Sequence, residues 1–284
     1  MGSKKKAEAE LRERIEATIR RSGAEAASVA FYDYETDTRF GYHGDRWMHA
    51  ASTIKVPVLV GVFAAIEEHD LSLSSRVHVR NKFYSIVDGT AYRVESGRDA
   101  NSEVHANIGK TMKLVDLARH MIVTSSNLAT NLLLDAVGID RVRRTLEQLG
   151  VRGVELRRGV EDERAYEEGI SNRVTAEGLV QVLRLVEEKK AISPAACEHM
   201  LDILHQQEFR SGLPAGLPDD ARVANKTGEI STVAHDTGLV YLPLRQPYAL
   251  AILTEWKPDR TSGRRDALAR ISRSVYEHLV ERES

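Results

Sequence analysis

An α+β fold is what this 284-residue chain predicts, on two observations. Segments with strand character gather at its two ends, and the long stretch between them carries helical periodicity. With 42% apolar residues the chain can bury a large core, as one domain at the upper size limit or as two closely joined subdomains.

In chain order, the start Met1–Lys6 is lysine-rich, shows no apolar periodicity and reads as disordered. Ser28 to Tyr34 (Ser-Val-Ala-Phe-Tyr-Asp-Tyr) and Arg39 to Tyr42 read as strands flanking the polar turn Glu35-Thr36-Asp37-Thr38, a hairpin. Val56 to Ile66 is an apolar run ending in Glu67-Glu68-His69-Asp70, a helix that buries at least one face. Its first turns are expected to be irregular, because Pro57 lacks the N–H that would bond back to Thr53. Between Leu114 and Leu134 the positions Leu114, Leu117, Met121, Leu128, Leu132 and Leu133 recur at helical spacing. Thr124-Ser125-Ser126-Asn127 interrupts them with residues that favour caps and turns, so two helices joined by a polar turn are expected. Another helix is expected from Ala176 to Glu188, starting after Thr175. Arg222–Asn225, His235–Tyr241 and Tyr248–Thr254 read as consecutive antiparallel strands, with turns at Gly228–Thr232 and Pro243–Pro247.

Composition narrows the function. A formal net charge of −2 and the lack of a basic stripe with interleaved aromatics argue against nucleic-acid and anionic-membrane partners. The longest apolar run, Val56–Ile66, is too short to span a bilayer. Cys197 is the single cysteine, which excludes an intrachain disulfide and a redox dithiol. The ten histidines form no His-Glu-x-x-His or Cys/His cluster, and there is no glycine-rich phosphate loop, so neither a metal nor a cofactor is expected.

Three short motifs carry the chemistry: Ser52-Thr53-Ile54-Lys55, Ser125-Ser126-Asn127 and Lys226-Thr227-Gly228. A Ser-x-x-Lys string occurs by chance roughly once in a chain of this length, and Ser3-Lys4-Lys5-Lys6 also fits it. Ser52 differs in its setting, at the start of a helix with Lys55 three residues on along the same face. That places an amine near a hydroxyl at a helix end that favours developing negative charge. Taken alone, Ser-Ser-Asn is more often an ordinary helix cap and Lys-Thr-Gly a solvated turn. All three in this order, each on a suitable element, reverse those odds.

With these motifs the chain resembles the class A β-lactamase branch of the penicillin-recognising serine hydrolases. The likeness extends through Ala51–Val58, Met121–Asn131, Asn225–Tyr241 and a final helix from Ala267 to Glu281. It implies an antiparallel five-stranded-type sheet, built from the N-terminal hairpin and the C-terminal strands, flanked by helices. An all-helical lobe from the middle of the chain would face it across the active cleft. The division implied is residues 7–58 with 215–284 as one subdomain and 59–214 as the other. Ser52 is the candidate nucleophile, which needs a base because a free serine hydroxyl barely attacks at neutral pH. Lys55 is that candidate base, its pKa depressed by burial and by Lys226, and Ser125 is the proton relay. The resemblance further implies that Lys226 and Thr227 hold the substrate carboxylate and Asn127 its amide side chain. The backbone N–H groups of Ser52 and Glu229, the residue after Gly228, would form the oxyanion hole. It also implies a small-molecule β-lactam or acyl-peptide substrate and a monomer. Relatives of this kind act outside the cytoplasm; since Met1–Lys6 has no apolar run behind it, either a removed leader or a cytoplasmic member is compatible with the sequence.

Four departures from the family pattern stand out. Ser126 replaces an aspartate. Asn81–Lys110 is longer and more polar than usual and is expected to overhang the cleft mouth. His235-Asp236 is unusual on its strand. The carboxylate that positions the deacylating water, a glutamate followed four residues later by an asparagine, has no single match. Glu168 with Asn172 has the spacing, Glu161, Asp162 and Glu163 lie upstream, and a solvated acidic run with no catalytic member is equally compatible. The leading function is therefore a class A-type β-lactam hydrolase. The alternative is a D-alanyl-D-alanine carboxypeptidase or esterase with slow β-lactam turnover, and a non-catalytic binding module is the third.

Overall fold

A computed structural model describes residues 2–100 and 102–280. Five antiparallel strands form one sheet in the order Arg222–Ile230, Val233–Tyr241, Tyr248–Glu255, Ala26–Asp33 and Thr38–Tyr42. The two ends of the chain thus meet inside the sheet, where Ala26 lies opposite Glu255 and Asp33 opposite Tyr248. The Tyr248–Glu255 strand shows why the sheet needs cover on both faces. Tyr248, Leu250 and Ile252 point into a core shared with the first and last helices, while Ala249, Ala251 and Leu253 point into the core of the helical lobe. This is the period of two of a pleated strand, apolar on both sides.

The disordered start expected from composition is overturned: Gly2–Ser22 is a helix. Leu11, Ile15 and Thr18 are buried at helical spacing, and Arg14 pairs with Glu277 on the final helix, Arg264–Val280. Mean hydropathy hid it, because a helix that docks by one narrow stripe can be polar elsewhere. The string Ser3–Lys6 is part of this helix. The turn expected at Gly228–Thr232 is also shorter than predicted, since the strand continues to Ile230 and only Ser231 and Thr232 reverse the chain.

In the helical lobe, every residue from Lys55 to Ala65 of the helix Lys55–Glu67 is buried. A Cβ on Gly61 would come within 2.6 Å of Val142 Cγ2, so the helix Ile139–Gln148 crosses at a distance only glycine permits. The helices Leu114–Val123 and Asn127–Val137 flank the predicted polar turn. Segment 81–110 folds into the hairpin Phe83–Tyr84 with Ala91–Tyr92 and the short helix Ser102–Ala106. The hairpin does not line the cleft. It leans on the 157–172 loop, where Ile86 N–H donates to Asp162 Oδ2 at 3.1 Å and Asp88 faces Arg164, and among the described residues of the segment Arg98 and Ala100 reach the cleft wall.

Candidate active site

Ser52 lies in a 3₁₀ turn, Ala51–Ile54, that runs directly into the helix Lys55–Glu67, the irregular start anticipated from Pro57. The residue before it, Ala51, has φ 43°, a left-handed conformation that must be held from outside. The hold comes from both lobes. Ala51 N–H donates to His49 Nδ1 at 3.0 Å, and Ala50 N–H donates to the Asn172 carbonyl at 2.9 Å. His235 in turn receives Thr254 N–H on Nδ1 at 3.1 Å, which leaves Nε2–H to donate to the His49 carbonyl at 2.9 Å. Burial pushes both rings down to about 4, His49 with added repulsion from Arg158, so both are neutral at pH 7. His235, flagged only as unusual in the sequence, thus ties the sheet to the residues that aim Ser52.

Ser125 occupies the turn between the two helices with φ 60°. Lys55 Nζ donates to Ser125 O at 2.6 Å, to Ser125 Oγ at 3.1 Å and to Asn127 Oδ1 at 2.8 Å. From the opposite side Lys226 Nζ donates to Ser125 Oγ at 3.0 Å and to Thr227 O at 2.8 Å. Both amines are fully buried. Desolvation brings Lys55 down to about 7, against the pull of Asp99 and Glu161. Lys226 is held well below its usual range by burial first and then by Lys55, with Asp236 opposing. An amine poised near neutrality, donating to a hydroxyl that also accepts from a second buried amine, can pass a proton in either direction.

The strand Arg222–Ile230 is the sheet edge nearest Ser52, with one row of its backbone N–H and C=O groups unpaired by the sheet. A Cβ on Gly228 would lie 3.0 Å from both Ser52 N and Thr53 N, so the absent side chain is what lets this edge approach the helix start. Glu229 faces the cleft and its carboxylate pairs with Arg265 at 3.1 Å. Asp236, pushed up to about 6 mainly by burial, accepts from Leu213 N–H at 2.8 Å and fixes the loop that carries Ser211 and Gly212 over the cleft. The cleft, about 220 Å³, is lined by Ser52, Ser125, Asn127, Thr227, Gly228 and Glu229, with Arg98, Phe209, Ser211, Gly212 and Arg265 at its sides. A larger hollow between Ala30–Gly41 and Thr175–Arg184 holds none of the motif residues; chemistry and not size marks the site.

Of the four acidic candidates one reaches this chemistry. Glu161 Oε1 accepts from Asn127 Nδ2 at 2.6 Å, and Oε2 from Glu95 N–H at 3.1 Å. Asn131, one turn beyond Asn127, grips the preceding residue from both sides: Val160 N–H donates to its Oδ1 at 2.8 Å and its Nδ2 donates to Val160 O at 2.9 Å. Asp162 is buried as the cap of the helix Glu163–Glu167, and Glu163 pairs with Arg98. The Glu168–Asn172 spacing does not bring those two into the site. Glu168 is half-exposed beside Arg164. Asn172 closes the neck of the loop by accepting from Arg157 N–H at 2.7 Å and Arg158 N–H at 3.0 Å. Four residues after Glu161 stands Ala165, buried, where the family pattern has asparagine. Asp99, which the sequence did not single out, lies against the Ser125–Asn127 turn.

Comparison with known proteins bears on the family and the fold. A model of the β-lactamase enzyme family matches residues 10–279. The chain is similar to a β-lactamase of Bacteroides uniformis, 27% identical over 183 residues, covering 60% of this chain and 61% of that protein, so it spans less than two thirds of that relative's length. It is similar to β-lactamase ROB-1 of Haemophilus influenzae, 26% identical over 230 residues, covering 80% of this chain and 70% of that protein. Among solved structures, a variant of the last common ancestor of Gram-negative bacteria class A β-lactamase superposes with TM-score 0.83 and 26% identity over 96% of this chain and 99% of that one.

Proposed function

The chain belongs to the β-lactamase enzyme family, and we propose that it hydrolyses β-lactams through an acyl-enzyme on Ser52. In acylation Lys55, neutral for much of the time at pH 7, takes the Ser52 hydroxyl proton as the oxygen attacks the lactam carbonyl. The Ser52 and Glu229 N–H groups receive the oxyanion, each such donor being worth about 10²–10³ in rate. As the C–N bond breaks, Ser125 gives its proton to the ring nitrogen and is reprotonated through the amines that donate to it. Lys226 and Thr227 bind the substrate carboxylate, and the Asn127 side chain its amide. In deacylation Glu161 takes a proton from water, the hydroxide attacks the ester carbonyl, and Ser52 leaves with its proton restored.

The observation that carries this reading is the Ser125 hydroxyl accepting from two buried, pKa-depressed amines in the cleft that Ser52 also lines, with Glu161 bonded to Asn127. A chromogenic cephalosporin tests it: steady turnover, abolished in Ser52→Ala, is expected. Ala165 favours a second reading, a carboxypeptidase- or esterase-like enzyme that acylates readily but holds the deacylating water with one partner fewer. That enzyme would show a stoichiometric burst and then a stall. A chain that forms no covalent adduct by mass spectrometry would be a binding module instead.

A further inference from the structure

The middle motif lacks the carboxylate that its family pattern places at position 126, yet a carboxylate is present at the turn. Asp99 arrives from segment 81–110 with its side chain fully buried. Its Oδ2 accepts from Ser126 Oγ at 3.0 Å and Leu128 N–H at 3.0 Å, and its Oδ1 from Asn127 N–H at 3.1 Å. His105 Nε2 lies 3.2 Å from Oδ2. We infer that Asp99 is the positioning residue of the acyl-transfer turn, supplying from a remote segment the anchor that fixes Ser125 and Asn127.

The physical need is specific. The helix Asn127–Val137 begins with N–H groups that have no partner inside the helix. Ser126 Oγ satisfies Ala129 N–H at 3.1 Å, and Asp99 satisfies the two before it. A buried anion at a helix N-terminus is also favoured by the helix dipole. Just ahead of this cap Ser125 is held at φ 60°, fastened on one side by Lys55 through its carbonyl and on the other by the anchored residues 126–128. Releasing the anchor frees Ser125 to leave the point where both amines reach it. The same stretch of chain presents Glu95 N–H to Glu161, so residues 95–99 brace the proton relay and the water-activating carboxylate together.

The effect on rate rests on the acyl-transfer reading; the geometry does not. The test uses the full chain and three variants, Asp99→Asn, Ser126→Asp and the pair combined, read by the acylation rate with a fluorescent penicillin and by amide hydrogen exchange. Asp99→Asn is expected to acylate about 10²-fold more slowly, the scale of loss for a reacting group displaced by an ångström, and to exchange the Asn127 and Leu128 amides faster. Ser126→Asp alone crowds two carboxylates into one buried site and is expected to be slow as well. The combined variant, with its carboxylate returned to the N-cap, is expected to recover to within about tenfold of the parent, a coupling that a loss of general stability would not produce. A parent-like acylation rate in Asp99→Asn overturns the inference, as does a combined variant no faster than Asp99→Asn. If Asp99→Asn does not fold, the combined variant decides: recovery supports the inference and a slow folded protein overturns it. A parent chain that no penicillin acylates removes the proposed function alone; the exchange data then decide, and unchanged protection of Asn127 and Leu128 overturns the inference.

Discussion

Glu161 has φ 58°, a conformation L side chains rarely adopt, and it keeps it because Asn131 holds the Val160 backbone while Asn127 and Glu95 hold the carboxylate. Backbone strain fixed in this way holds a single carboxylate against the Asn127 side chain, and the proposed deacylation assigns that carboxylate the water. Glu161→Gln preserves the side-chain size and removes the base. Turnover of a cephalosporin is expected to fall by about 10²-fold or more, with a long-lived adduct accumulating in the mass spectrum; parent turnover would remove Glu161 from the reaction. Lys55 gives a second prediction. It must be neutral to accept a proton, and its pKa lies at about 7, so the acylation rate should climb with pH below 7 and level off above it. The charged groups around this amine are Lys226 on the strand, Asp99 from segment 81–110 and Glu161 from the loop. Asp99 and Glu161 both raise its pKa, so Glu161→Gln should move the acid limb to lower pH. A limb near pH 10 in the parent would show that burial does not depress this amine, and an acid limb that Glu161→Gln leaves in place would show that it does not report Lys55.

At the scale of elements, the site depends on how closely the edge strand Arg222–Ile230 meets the turn Ala51–Ile54. The methyl of Gly228→Ala would lie 3.0 Å from Ser52 N and Thr53 N, and the strand must retreat by a few tenths of an ångström. Since an ångström is worth about 10² in rate, acylation should slow about tenfold, with thermal stability little changed; an unaltered rate would mean that the oxyanion is held elsewhere. These elements were legible because Ser52 with Lys55, Ser125 with Asn127, and Lys226 with Gly228 are each fixed by neighbours a few residues away, and local spacing survives folding. Glu161 was one of several acidic candidates because its selection depends on Asn127 and Asn131, about thirty residues earlier. The Glu168–Asn172 spacing pointed elsewhere because Asn172 spends its amide on the loop neck. Asp99 left no trace, since an anchor brought in from position 99 to residues 126–128 has no periodicity to reveal it. The first helix was missed for the opposite reason, its narrow apolar stripe being diluted by charge.

At the scale of the molecule, sheet and helical lobe meet at Ser52 through two neutral histidines. His235 takes Thr254 N–H and gives Nε2–H to the His49 carbonyl, while the His49 ring takes Ala51 N–H. Protonating either Nδ1 removes the acceptor and places a charge in a buried site. Both folded pKa values lie near 4, below the usual 6.5. Between those limits the unfolded chain binds more protons than the folded one, so stability is present above pH 6.5 and declines as pH falls toward 4. Asp236 runs the other way: its folded pKa of about 6 exceeds its usual 3.8, so it favours the folded state as pH falls from 6. Two histidines outweigh that one carboxylate. The urea midpoint of unfolding should therefore be lower at pH 5 than at pH 7 with an unchanged m-value, and His235→Gln, which carries no titrating ring, should reduce the drop. Equal midpoints at the two pH values would mean that these rings already bind a proton in the folded protein, and that the hydrogen bonds aiming Ser52 do not depend on their neutrality.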